Sequence, residues 1–184
     1  MNTPIIYGYK RAAFRQQQAQ LVIIGDGIVA NVQGIMYPFF SVKFVADGPQ
    51  GSGSLWVATN RCLGDSATCV HMAEKLNLQP KNNHKTNQQA IDTTAFSVAM
   101  SGTEARLFVS WKQYGGGHSS EDAYHMAEVR SFALQDPAHH IEFRRYVLNI
   151  IDWGQGQRLN AIRESLSTLG IEEVIQGPSD EIQF

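Results

Sequence analysis

An α/β domain, with a central mixed sheet flanked by helices, is the fold class this sequence predicts, and three observations predict it. The run Tyr37-Pro38-Phe39-Phe40-Ser41-Val42-Lys43-Phe44-Val45 is apolar, aromatic and β-branched and stops at Ala46-Asp47-Gly48-Pro49, as a buried strand does. After the link Gln50-Gly51-Ser52-Gly53-Ser54, whose serines can cap a helix, Leu55, Ala58, Cys62, Ser66, Cys69/Val70, Ala73 and Leu76 recur every three or four positions. They make one helical face of small and apolar side chains. Further on, Phe96, Val98 and Met100 alternate with Ser97, Ala99 and Ser101, which is the period of a strand.

The remaining elements follow in chain order. Pro4–Tyr9 is a short strand candidate, and Arg11–Leu21, rich in Ala and Gln, a polar helix. Leu21–Ile24 ends at Gly25-Asp26-Gly27, a turn that lacks the spacing of a phosphate loop. Ile28–Ile35 can pair with the central strand. Gln79–Gln89 is a polar connection with a small basic cluster, Lys81, His84 and Lys85. Gly102-Thr103 turns Phe96–Met100 into a second strand, Glu104–Lys112, with Leu107, Val109 and Trp111 on one face. Tyr114–Asp122 reads as a long loop and Tyr124–Leu134 as the third strand of the meander. Asp136-Pro137 starts a helix, Asp as cap and Pro in the first turn. Phe143, Tyr146, Val147, Ile150 and Ile151 form its stripe, and Gly154 is expected to end it. Leu159, Ile162, Leu166 and Leu169 predict a last helix, stopped by Gly170. No repeat or second-domain boundary interrupts residues 1–170, and 171–184 read as a tail.

Composition bounds what such a domain does. The chain has 184 residues, 43% apolar and 17% charged, which suits one globular core. Fifteen basic and 17 acidic residues leave a net charge of −2, so no global field draws nucleic acid, although a local patch can. Cys62 and Cys69 would stand roughly 10 Å apart along one helix, too far for a disulfide. Reduced core thiols are expected, in keeping with an intracellular location, cytoplasmic or nuclear. Tyr7, Lys10 and Arg11 interrupt any secretory leader, and no apolar run of membrane-spanning length occurs.

The central stretch also resembles a fungal family of PD-(D/E)XK nuclease-like domains. In that family a strand of the form PFF-x-V-E-F-K-A-D-G-P runs into GSGSLWVATNQCLG. Here Pro38-Phe39-Phe40-Ser41-Val42-Lys43-Phe44-Val45-Ala46-Asp47-Gly48-Pro49 is followed by Gly51–Gly64. The likeness extends to Thr3–Tyr9, against T-P-D-I-V-Y-G-Y. It also takes in Asp136-Pro137, Glu142-Phe143-Arg144, Tyr146-Val147 and Asn149–Gly154, about residues 3–170 in all. The resemblance implies a restriction-endonuclease-like fold. Three departures fall on the family's working positions: Lys43 stands in place of Glu, Val45 in place of Lys, and the N-terminal Asp is missing. Arg61 replaces a Gln on the following helix.

A PD-(D/E)XK site needs two carboxylates to hold Mg²⁺ or Mn²⁺ and a lysine to position or deprotonate the attacking water. A strand puts residues two apart on one face, so the acid and the lysine share a cleft. With Lys43 and Val45 there, the cation position repels metal and the valine handles no proton, so no catalytic residue, metal or cofactor is expected. Asp47, on the same strand face, reads as a salt-bridge or strand-end acid. His71 and Glu74 read as a solvated pair, and His139-His140 point apart. Arg61, Lys81, Lys85, Arg144 and Arg145 are the candidates for nucleic-acid contact, because arginine grips phosphate bidentately. Arg158 and Arg163 are further helix arginines. The expectation is a catalytically degenerate member that binds a protein partner or nucleic acid, with no membrane role; self-association stays open. The alternative is a Mg²⁺- or Mn²⁺-dependent nuclease that uses relocated acids.

Overall fold

The computed structural model describes residues 5–25, 29–30, 34–45, 54–79, 90–115 and 122–169. Strand β1 is Ile5–Tyr9. A 3₁₀ segment, Arg11–Gln17, leads into helix α1, Gln18–Ile24. Strand β2 is Met36–Phe44, helix α2 Leu55–Asn77, and strands β3, β4 and β5 are Ala95–Met100, Glu104–Gln113 and Ala123–Ala133. Helix α3, Pro137–Trp153, runs through a π turn, Gly154–Arg158, into helix α4, Leu159–Ser167.

The five strands lie in sequence order, β1-β2-β3-β4-β5. β2 pairs antiparallel with β1 and parallel with β3, with α2 as the crossover between them. The meander β3-β4-β5 is antiparallel throughout. The sheet is therefore mixed, and the apolar strand predicted at its centre has neighbours on both sides. Strand alternation sorts its faces. Phe96 packs edge-on against Trp153 of α3, whereas Ser97, the next residue, faces Cys62 on α2. Helices α2 and α3 thus cover opposite faces.

α2 forms where its periodicity says. Ser54 accepts a hydrogen bond from Val57 N at 3.4 Å as N-cap, and Ala58, Cys62, Ser66, Cys69, Val70, Ala73 and Leu76 are its buried stripe. α3 starts at the expected cap, with Asp136 Oδ1 accepting from Ala138 N at 2.8 Å. Phe132 on β5 packs between Phe143 and Tyr146 of its stripe.

Two local expectations are corrected. The helix expected over Arg11–Leu21 is tightened into 3₁₀ turns up to Gln17, and its α-helical part takes in Leu21–Ile24 before Gly25 ends it at φ 72°. Of Ile28–Ile35, the described residues give one bridge to the central strand, Val29 to Met36, and residues 28 and 31–33 lie outside the described residues. Gly154 does not end α3. It keeps helical φ and ψ, and a side chain there would overlap the Phe39 ring, so glycine serves close approach and not termination. Gly170 and the tail at 171–184 lie outside the described residues.

Candidate functional site

Lys43 sits on the α2 face of the sheet near the end of β2. Its Nζ meets Asp65 Oδ2 of α2 at 2.6 Å, with 14% of the lysine and 30% of the aspartate side chain exposed. The contact is an ion pair and not an aligned hydrogen bond, since Oδ2 has no hydrogen-bond partner. Asp47, the acid nearest in sequence along the strand, lies outside the described residues. Val45 is buried with Ala58, Cys62, Ala99 and Phe108. Position 43 thus holds a paired ammonium and position 45 a core valine. A divalent cation finds no fit there, because the ammonium repels it and an isopropyl group has no donor atom.

The thiols near this pair are buried in the core. Burial pushes Cys62 up to about 11, opposed by the neighbouring Ser97 hydroxyl, and pushes Cys69 up to about 12. Both are free and buried, as the helical spacing predicted.

A second polar constellation lies farther along α2 and was not legible as one. Glu74 is 2% exposed, so it is no solvated partner for His71. Tyr114, just past β4, donates to its Oε1 at 2.9 Å, and Tyr124 of β5 donates to its Oε2 at 3.5 Å. Lys112 Nζ of β4 stands 3.4 Å from Oε2 and 2.9 Å from Asp122 Oδ2. The ammonium also lies 4.9 Å from the Tyr114 ring centre and 5.9 Å from that of Tyr124. His71 reaches the cluster through a 3.3 Å contact of Nδ1 with the Tyr124 hydroxyl. The hydrogen bond with Asp122, then the Glu74 charge, hold Lys112 above the ordinary lysine range, and Asp122 is correspondingly lowered. Donating to Glu74 raises Tyr114. The lysine fills the cage that its neighbours form, so the arrangement braces α2 against β4 and β5. Among the described residues, no three His, Cys, Asp or Glu side chains gather as metal ligands.

The candidate basic residues do not share one face. Arg61 is exposed on α2, while Arg144 and Arg145 are exposed on α3 across the sheet. Lys81 and Lys85 lie outside the described residues. Arg158 is 2% exposed, with Nη1 donating to the Tyr37 carbonyl at 3.0 Å, which takes it out of any surface. Arg163 donates through Nε and Nη2 to Ala13 O at 2.9 and 2.8 Å, tying α4 to the 3₁₀ segment. His139 accepts from Ala133 N at 3.1 Å, a local tie between β5 and α3.

Fold and site together define an α/β domain with a five-stranded mixed sheet between helices. No helix among the described residues is long and apolar enough to cross a membrane. A family model described as a domain of unknown function, DUF7924, matches residues 4–166, and the chain belongs to that family. Neither curated proteins nor solved structures include a match.

Proposed function

We propose that this chain is a catalytically degenerate PD-(D/E)XK nuclease-like domain of fungal type, intracellular in the cytoplasm or nucleus, that binds a protein partner or nucleic acid without cutting it. The observation that carries the reading is the Lys43–Asp65 ion pair. A lysine that had lost an acid's role by drift alone would point into an open cleft, whereas this one is neutralised by the facing helix. Val45 supports it by packing into the core. What the domain keeps is a rigid scaffold with exposed helix faces.

The test is incubation of the purified protein with plasmid, single- and double-stranded oligonucleotides and RNA in Mg²⁺ or Mn²⁺. All substrates are expected to stay intact, and calorimetric titration with either ion to show no uptake. Cleavage that co-purifies with the protein and disappears on Asp65→Ala or Asp47→Ala would replace the reading with that of a metal-dependent nuclease using relocated acids.

A further inference from the structure

We propose that the cleft between the 3₁₀ segment and α4 is a phosphate site for a nucleic-acid backbone; this deepens, and rests on, the reading of the domain as a binder of nucleic acid. The cleft measures about 280 Å³ and is lined by Ala12, Ala13, Arg15, Gln16, Gln17 and Arg163. Among the described residues its polar side chains are two guanidinium groups and two carboxamides, with no carboxylate. That donor set suits an anion with several acceptor oxygens. The size matters as well. Clefts for drug-sized ligands run from about 300 to 1,000 Å³, so this one suits a single phosphate better than a whole nucleotide.

The inner wall is already in place. Arg163 spends Nε and one Nη2 hydrogen on the Ala13 carbonyl, which fixes the guanidinium plane, and an arginine has five N–H donors in all. Gln17, 6% exposed, is pinned by donating to Ser167 Oγ at 3.2 Å, and that hydroxyl donates to Arg163 O at 2.9 Å. Such fixed side chains lose little freedom on binding. The outer wall is different. Arg15 is exposed and makes no ion pair among the described residues, so its charge has no structural use there. Lys10 and Arg11, both exposed, precede it in the chain, and Arg11 donates a 2.7 Å hydrogen bond to Gln18 Oε1. They place further positive charge close by in the sequence, which favours a polymer of phosphates over a free anion. Sequence reasoning passed over these residues, because a polar segment with arginines ordinarily just faces water.

The experiment is fluorescence anisotropy of the full chain with labelled single-stranded and duplex oligonucleotides over a series of salt concentrations. Arg15→Gln is compared with the paired substitution Arg144→Gln and Arg145→Gln on α3. Removing one phosphate contact lowers the slope of log K against log salt by about 0.7–0.9 and weakens binding uniformly across sequences. That loss is expected for Arg15→Gln, with the α3 variant unchanged. Binding that survives Arg15→Gln intact but falls in the α3 variant overturns the cleft and keeps the nucleic-acid reading. Equal losses in both variants also overturn it, since they report only a diffuse field. If neither oligonucleotide binds the unaltered chain, the cleft and the nucleic-acid reading fall together, and a protein partner remains.

Discussion

Replacing Lys43 by methionine tests whether a position that carries an acid in the resembling nucleases has become structural. Methionine keeps the aliphatic stem against α2 and removes only the ammonium. Stripping a fully buried charge of its partner costs about 3–5 kcal/mol, and an exposed pair contributes about 0.2–1 kcal/mol. Asp65 keeps 30% of its side chain exposed while Lys43 keeps 14%, so the loss falls between these limits, at about 1–2 kcal/mol. For a chain of 184 residues that lowers Tm by roughly 2–8 °C. Lys43→Glu goes further, because two carboxylates about 4 Å apart repel by about 4 kcal/mol at an effective dielectric constant near 20. Thermal and urea melts of Lys43→Met, Asp65→Leu and the double variant give the coupling directly, with about 1 kcal/mol expected. Additivity to within about 0.3 kcal/mol would refute the structural role. A large Mg²⁺-dependent rise in Tm for Lys43→Glu alone would show metal ligands still in place, and the dismantled site would have to be given up.

Three further outcomes follow from the packing and the charges. Gly154→Ala improves helix propensity by about 1 kcal/mol. Its Cβ would overlap the Phe39 ring, however, and overpacking costs about 1–3 kcal/mol, so urea melts should show a net loss; a gain would mean that the ring swings aside. Cys62 and Cys69, pushed up to about 11 and 12, should react with a thiol reagent at pH 8 only at the rate of unfolding, and a burst of native-state labelling would contradict their burial. The Lys112–Asp122 pair holds Asp122 below its unfolded value of about 3.9 and Lys112 above about 10.4. Its contribution is therefore complete between those values, lost as pH falls through the lowered aspartate value and lost again as pH rises through the raised lysine value. Asp122→Asn should lower Tm by a constant amount between pH 5 and 9 and by a shrinking one well below pH 4. A deficit that persists in acid would assign it to something other than charge.

What was legible in the sequence was whatever local pattern decides. β2 announced itself by a run of apolar residues closed by Asp-Gly-Pro, α2 by its small apolar stripe, and α3 by Asp136-Pro137. The parallel pairing of β2 with β3 follows once a long helix separates them. Local pattern did not reveal contacts made across the chain. Asp65 looks like any polar residue on a helix until the lysine of β2 faces it. Glu74 looks solvated because the tyrosines that bury it arrive 40 and 50 residues later. Gly154 carried the ordinary signal of a helix stop, and packing overrode it. The basic candidates were chosen by residue type alone, and the fold puts Arg61 and the Arg144-Arg145 pair on opposite sides of the sheet.

The start of β2 shows what holds the scaffold in shape around this strand. Tyr37 is fully buried and has a φ of 44°, a conformation that costs a residue with a side chain about 1–3 kcal/mol. Its carbonyl is taken by Arg158, whose guanidinium lies 5.4–5.9 Å from the ring centres of Phe39, Trp153 and Tyr9. The Tyr9 hydroxyl in turn donates to Gly154 O at 2.6 Å. The π turn makes this corner: its wide winding brings Gly154 against Phe39 and still aims Arg158 inward four residues later. At its other end the same strand is fixed to α2 by Lys43 and Asp65. Both ends of the strand that carries the chemistry in the resembling nucleases are thus committed to holding the fold. Among the described residues, the side chains free of that task are those of the outer helix faces and the exposed side of the 3₁₀ segment.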